Sequence, residues 1–245
     1  AALDADALQG RRVGVLRLMG GFHPRVDERC EEALAVLRAA GAEVVDIVEE
    51  PAGRDELGRD EFTILLAELK SDLNAYLAST PQSVRTRSLA EVIAFNASAP
   101  EELALFGQDL FELAQATGGI DDPAYRAAVQ RAPENARRML DTLLRTHNVD
   151  VLVAPTTGPA WVNDPLLGDN YLGGGASSLP AVAGYPHLTV PMGLVGGLPV
   201  GLSFIGPAWS EAQLLSFGYA YEQRARARSA PTYARSISGS QPFAA

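Results

Sequence analysis

The sequence is poor in sulfur, lysine and histidine. Its one cysteine, Cys30, rules out a disulfide within the chain. On an amphipathic helix it reads as a buried small hydrophobe. Lysine occurs once, at Lys70, inside the helical pattern ELKSDLNAYL rather than in an apolar strand-to-loop setting. There is no H-E-x-x-H, no Cys/His cluster and no EF-hand loop, so neither a metal nor another cofactor is expected. No run approaches the roughly 18 apolar residues of a membrane span. The opening AALDADAL lacks the basic start and apolar core of a signal peptide, and its want of Met fits a cut boundary. Cations are outnumbered, with 20 Lys and Arg against 30 Asp and Glu and a net charge of −10. That balance argues against a nucleic-acid or anionic-membrane partner. A cytoplasmic address is the default expectation.

With 47% hydrophobic residues the chain can bury one large core or two smaller ones. Residues 11–50 read as a βαβ-like start. Val13–Leu18 is a short strand, and Val26, Cys30, Ala33, Leu34 and Leu37 then form a helical stripe that stops at Gly41. Glu43–Val48 alternates as a second strand. Gly20-Gly21 lies between strand and helix, but no G-x-G-x-x-G follows and the helix start FHPRVDE is acidic, so no phosphate site is read there.

Residues 55–147 read as helical. Phe62, Leu65, Leu66, Leu69, Leu73 and Tyr76 share a face, as do Leu89, Val92, Ile93 and Phe95. A further helix is expected over Glu101–Thr117, carrying Leu103, Phe106, Leu110, Leu113 and Ala114. These stripes are expected in the core. Ser88 and Glu91 suggest a capping box, and Asp122-Pro123 a cap and first turn. Pro133 should kink or split the last helix. Residues 150–226 hold strands and a closing helix, with Ser210 and Gln213 spaced as a capping box and Leu214, Leu215, Phe217, Gly218 and Tyr221 on one face. A flexible tail is expected over 227–245.

The densest information lies in Asp150–Gly206. Val151–Ala154 and His187–Val190 are apolar runs stopped by Pro155 and Pro191, and Val200–Ile205 ends at Gly206. Runs of this kind read as buried strands of an α/β sheet. The order D-V-L-V-A-P-T, GGGASS at Gly173–Ser178, AVAGYPHLTVPMG and GLPVGLSFIG resembles the C-terminal part of the amidase signature family. EFTILLAELKSDLNAYL, RSLAEVIAFN and LFGQDLFELA resemble the middle region of its peptide-amidase-like branch. The resemblance implies an α/β fold, a mixed sheet flanked by helices with a helical insertion, and hydrolysis of a carboxylic amide.

Members of that family carry a Gly-Gly-Ser-Ser-Gly-Gly-type segment holding the nucleophilic serine and a second serine, with a catalytic lysine well before it. Neither is in this chain. The resemblance therefore implies the C-terminal half of an amidase, inactive alone, with no catalytic residue of its own. Its expected partners are the signature-bearing N-terminal half and a small-molecule or peptide amide. An exposed sheet edge or apolar patch is expected where the halves meet, and it could also make a homodimer. Thr156, Thr157, Trp161, Asp169, Asn170, Tyr171, Gly174, Ser177 and Ser178 are the expected substrate-lining residues. Where glutamine-directed, tRNA-linked members read N-L-A-G-x-P, Ala181 replaces the Asn, which points to a small-molecule or peptide amide instead.

Two rivals come from other classes. One is a non-catalytic α/β module that binds a ligand or partner through the Gly/Ser-rich loops. The other is a Ser-His-Asp hydrolase around Ser177, drawing on His23, His147 or His187 with Asp150, Asp164 or Asp169. G-x-S-x-G is absent, and each histidine sits where an ordinary structural one would.

Overall fold

The computed structural model describes residues 3–233. In chain order its elements are β1 (Arg12–Leu16), α1 (Pro24–Ala39), β2 (Glu43–Ile47), α2 (Arg54–Ser79), α3 (Leu89–Ser98), α4 (Asp109–Ala116) and α5 (Pro123–Thr146). They continue with β3 (Val151–Pro155), β4 (Asn163–Asp164), β5 (Gly168–Asp169), α6 (Ser178–Ala183), β6 (His187–Val195), β7 (Leu198–Ile205) and α7 (Glu211–Ala225). The chain forms two compact units, a helical one over 53–135 and 162–170 and a sheet unit from the rest. Most of the tail expected over 227–245 lies outside the described residues.

The sheet unit is built on five strands in the order β2-β1-β3-β7-β6. β1 runs parallel to β2 and β3, while β7 is antiparallel to β3 and β6. A mixed sheet follows from the connections. Helical crossovers join the parallel strands, and a tight turn at Gly196-Gly197 joins β6 to β7. One face carries Val13, Val15, Val151, Val153, Leu202 and Phe204. These pack in one core with Val26, Cys30, Leu34 and Leu37 of α1 and Leu214, Phe217 and Tyr221 of α7. Each such side chain contributes about 1.5–3 kcal/mol by leaving water. Burial pushes the Cys30 thiol up to about 11, so the thiol packs as a hydrophobe.

Three expectations fail in this unit. β6 does not stop before Pro191 but runs on to Val195, with an irregularity between Pro191 and Gly193. An outer strand can carry a residue with no N–H, because one of its sides has no neighbour in the sheet. At α7 the Ser210 hydroxyl donates to Pro207 O at 2.7 Å and makes no cap bond, so the capping box is not formed. Leu215 also leaves the buried stripe and is 48% exposed.

The helical unit is tied by polar groups. Ser88 Oγ accepts from Glu91 N–H at 3.2 Å, and the Glu91 carboxylate accepts from Arg87 N–H, which starts α3. Leu89 N–H donates to Asn74 Oδ1 on α2 at 2.7 Å. Arg131 clamps the buried Asp60 through two bonds of 2.6 and 2.8 Å. Asp122 accepts from Ala124 N–H at 2.9 Å and from Gly118 N–H at 3.1 Å. These bonds hold its carboxyl below the usual range, as expected of an N-cap before Pro123.

Three expectations fail here. The helix expected over Glu101–Thr117 shrinks to α4; the residues ahead of Gly107 turn, and Gln108 accepts from Asn96 Nδ2 at 3.2 Å. Of the kink or split expected at Pro133, the split does not occur: α5 runs unbroken through it, because one missing N–H is not enough to end an otherwise bonded helix. The stripes are core only in part: Leu89 and Ala114 are buried, but most of the large side chains are not. Phe62, Leu65, Tyr76, Phe95, Leu110 and Leu113 are 47–65% exposed. Leu89 and Ala114 share the buried positions with Leu57, Ala67 and Leu77, which lie outside the expected stripes.

Candidate functional site

The site is assembled where β3 ends. β3 is buried throughout, and beyond Pro155 the Thr156 N–H donates to Gly201 O at 2.8 Å. Thr156 O in turn accepts from Ala176 N–H at 3.1 Å. The Gly/Ser-rich segment is thereby stitched to the strand end. Gly173, Gly174 and Gly175 all have positive φ (93°, 81° and 150°), which admits few residues but glycine. A side chain at Gly174 would also overlap the ring of Phe22.

Ser177 and Ser178, both exposed, stand at the start of α6, where Ser177 O accepts from Ala181 N–H at 3.0 Å. Gly184 ends that helix with φ 69°. The Trp161 and Tyr171 rings lie 5.1 Å apart, centroid to centroid, at 48°. Tyr171 hydroxyl donates to Gly174 O, so its polar tip closes the loop. Thr157 is half-buried.

Asp169 and Asn170 belong to the helical unit, on the β4-β5 ribbon. Asp164 Oδ1 shapes its turn by accepting from Leu166 and Leu167 N–H at 2.7 and 3.0 Å, which holds that carboxyl low. Asn170 Nδ2 donates to Val162 O at 3.1 Å. The structure therefore joins Thr156 with the 173–178 segment and pairs Trp161 with Tyr171, while Asp169 and Asn170 sit on a separate ribbon.

Sequence reasoning overlooked a polar chain beside Thr156. Its Oγ1 lies 2.6 Å from Thr189 Oγ1 and 2.9 Å from Ser203 Oγ. Ser203 Oγ lies 2.6 Å from His187 Nε2. Burial lowers the His187 pKa from its ordinary value, so the ring is neutral near pH 7. The signal was alternation: His187 and Thr189 share one face of β6.

The other candidate acid–base groups have structural partners. His23 Nδ1 accepts from Arg25 N–H at 3.2 Å, and His147 Nε2 lies 3.4 Å from Glu49. Asp150 accepts from Arg12 N–H at 2.8 Å. Lys70 Nζ donates to Gln115 O at 2.8 Å and Thr117 O at 2.5 Å, closing the end of α4. Gly21 N–H donates to Asp27 Oδ1 at 2.9 Å, so that N–H is not turned to an anion. Among the described residues no three His, Cys, Asp or Glu side chains gather to hold a metal.

Two cavities lie elsewhere in the sheet unit. One of about 200 Å³ is lined by Leu16, Arg17, Gly20, Asp27, Glu31 and Pro155. Another of about 300 Å³ lies along Glu49–Ala52, Arg138, Met139 and His147. None of the expected substrate-lining residues borders either.

Residues 1–215 match the family model Amidase. The chain is 44% identical to the native peptide amidase from Stenotrophomonas maltophilia, with a TM-score of 0.80 over 95% of this chain and 46% of that one. It is 31% identical over 239 residues to a probable amidase of Arabidopsis thaliana, covering 94% of this chain and 41% of the relative. It is 30% identical to a glutamyl-tRNA(Gln) amidotransferase subunit of Acinetobacter baylyi, covering 91% of this chain and 46% of that protein. The chain thus spans less than half the length of these relatives.

Proposed function

The chain belongs to the amidase family, and on that premise we propose that it is the C-terminal half of an enzyme that hydrolyses a carboxylic amide to acid and amine or ammonia. The observation that carries this reading is the likeness to a peptide amidase over 95% of this chain but 46% of that chain. A peptide or small-molecule amide is the substrate class we favour, because the peptide amidase has the higher identity of the relatives compared.

In the intact enzyme a lysine, through a second serine, activates the nucleophilic serine to attack the amide carbonyl. Backbone N–H groups hold the oxyanion, the amine leaves, and water releases the acyl group. We place all of those groups in the other half. The present residues wall the pocket: Thr156, Thr157, Gly174, Ser177 and Ser178 from the strand end and its loop, with Trp161 and Tyr171 as apolar surface. Lys70 supports the assignment by closing α4 with its ammonium rather than facing a serine. Exposed Leu105, Phe106, Leu110 and Leu113 are where we expect the missing half to dock.

The test is treatment of the purified chain with a fluorophosphonate probe, mass spectrometry of any labelled serine, and assay of peptide amides. No label and no turnover are expected, with hydrolysis restored on co-expression with a signature-bearing half. Label on Ser177 or Ser178 together with turnover by the chain alone would overturn the reading.

A further inference from the structure

His187 and Thr189 on β6, Ser203 on β7 and Thr156 past β3 form a single file on one sheet face. The register sets Thr189 opposite Ser203 and His187 opposite Ile205, so the imidazole reaches Ser203 along the diagonal. The steps are 2.6 Å from His187 Nε2 to Ser203 Oγ, 2.9 Å on to Thr156 Oγ1 and 2.6 Å on to Thr189 Oγ1. Ser203 is fully buried, whereas Thr189, at the far end, is exposed.

A hydroxyl has one hydrogen to give. The file therefore has two self-consistent polarities. In the outward one, Nε2–H donates to Ser203, Ser203 to Thr156 and Thr156 to Thr189, whose own hydrogen points away. In the inward one, Thr189 donates to Thr156, Thr156 to Ser203 and Ser203 to a bare Nε2, with the ring hydrogen on Nδ1. Any mixed order strands a hydrogen or leaves one contact of the file with two hydrogens or with none, beside a buried group.

We infer that His187 is a positioning residue: through Ser203 and Thr156 its ring tautomer sets whether Thr189 presents a hydrogen or a lone pair at the outer strand. The outward state favours a ligand carbonyl, and the inward state a ligand N–H. Gly201 supports the inference independently. A Cβ there would lie 2.5 Å from Thr189 Oγ1 and 2.9 Å from Thr156 Oγ1. Its φ lies outside the left-handed region, so the backbone does not require glycine; the meeting of the two hydroxyls does. The inference rests on the hydrogen-bond file and stands apart from the amidase reading.

The experiment follows His187 in the isotope-labelled full chain by NMR as it is titrated with acid. A protonated ring must donate from Nε2 and so needs the outward file. Thr189→Val removes the last acceptor and is expected to weaken proton binding at His187 roughly fivefold. Thr189→Ser, which keeps the oxygen, should titrate as the parent does. Charged groups on α5 near this end are Arg137, which donates to Ala183 O, and Asp141, which accepts from Tyr185 hydroxyl. They are common to every variant. An unchanged midpoint in Thr189→Val overturns the inference. So does an equal fall in Thr189→Ser, which would assign the effect to packing. Should Thr189→Val fail to fold, Thr156→Val breaks the file one step nearer, with the same expected fall and the same overturning result.

Discussion

In the sheet unit Leu202, Phe204 and Tyr221 have at most 1% of their surface exposed, whereas in the helical unit Leu105, Leu110 and Leu113 are 48–61% exposed. The two units also hold together differently. The sheet unit relies on one apolar cluster between strands and helices. The helical unit relies on specific polar ties, Lys70 at the end of α4, Asn74 at the start of α3 and Asp60 with Arg131. A helix covered by polar ties and alanines can keep its large apolar side chains for another surface. The contrast teaches that an apolar stripe does not by itself establish a buried face; what packs against it decides.

Substitutions can break or sharpen this contrast. Phe204→Ala should cost about 3–5 kcal/mol of unfolding free energy, read from urea denaturation; a loss below 1 kcal/mol would mean the sheet core is not the main store of stability. Ser88→Ala removes the α3 cap and should cost about 1 kcal/mol, with hydrogen exchange rising in α3 before the sheet. A shallower effect is expected from pH. Because burial lowers the folded His187 pKa below the unfolded value, the unfolded chain takes up its proton first as acid is added. Stability from the neutral ring is whole above about pH 6.5 and is lost as the pH falls through the folded value. Urea midpoints measured down this range should fall less steeply in His187→Gln. The smallest effect belongs to the helical unit: Leu113→Ser should change stability by no more than about 0.5 kcal/mol while raising solubility. A large destabilisation there would show that the exposed stripe is already satisfied within this chain.

Much of the sheet unit was legible, because Pro155 and Gly206 punctuated the ends of two strands, and the α1 stripe fell on Val26, Cys30, Leu34 and Leu37. The run through Pro191 was not, since whether proline ends a strand depends on its place in the sheet. Ser210 misled for a related reason: a hydroxyl spaced for a cap can be claimed by a nearer carbonyl, here Pro207 O. In the candidate site the glycines and Thr156 could be picked out locally. Ser203 could not, because its partners arrive from β6 and β3, 16 and 47 residues away.

The missing Cβ at Gly201 bears on how this sheet can vary among relatives. Because Thr189 and Thr156 occupy the space a larger residue would need, positions 156, 189 and 201 should drift together rather than singly. A library randomised at 201 alone should return glycine. One randomised at all three should also recover alanine at 201, accompanied by a smaller residue at 189.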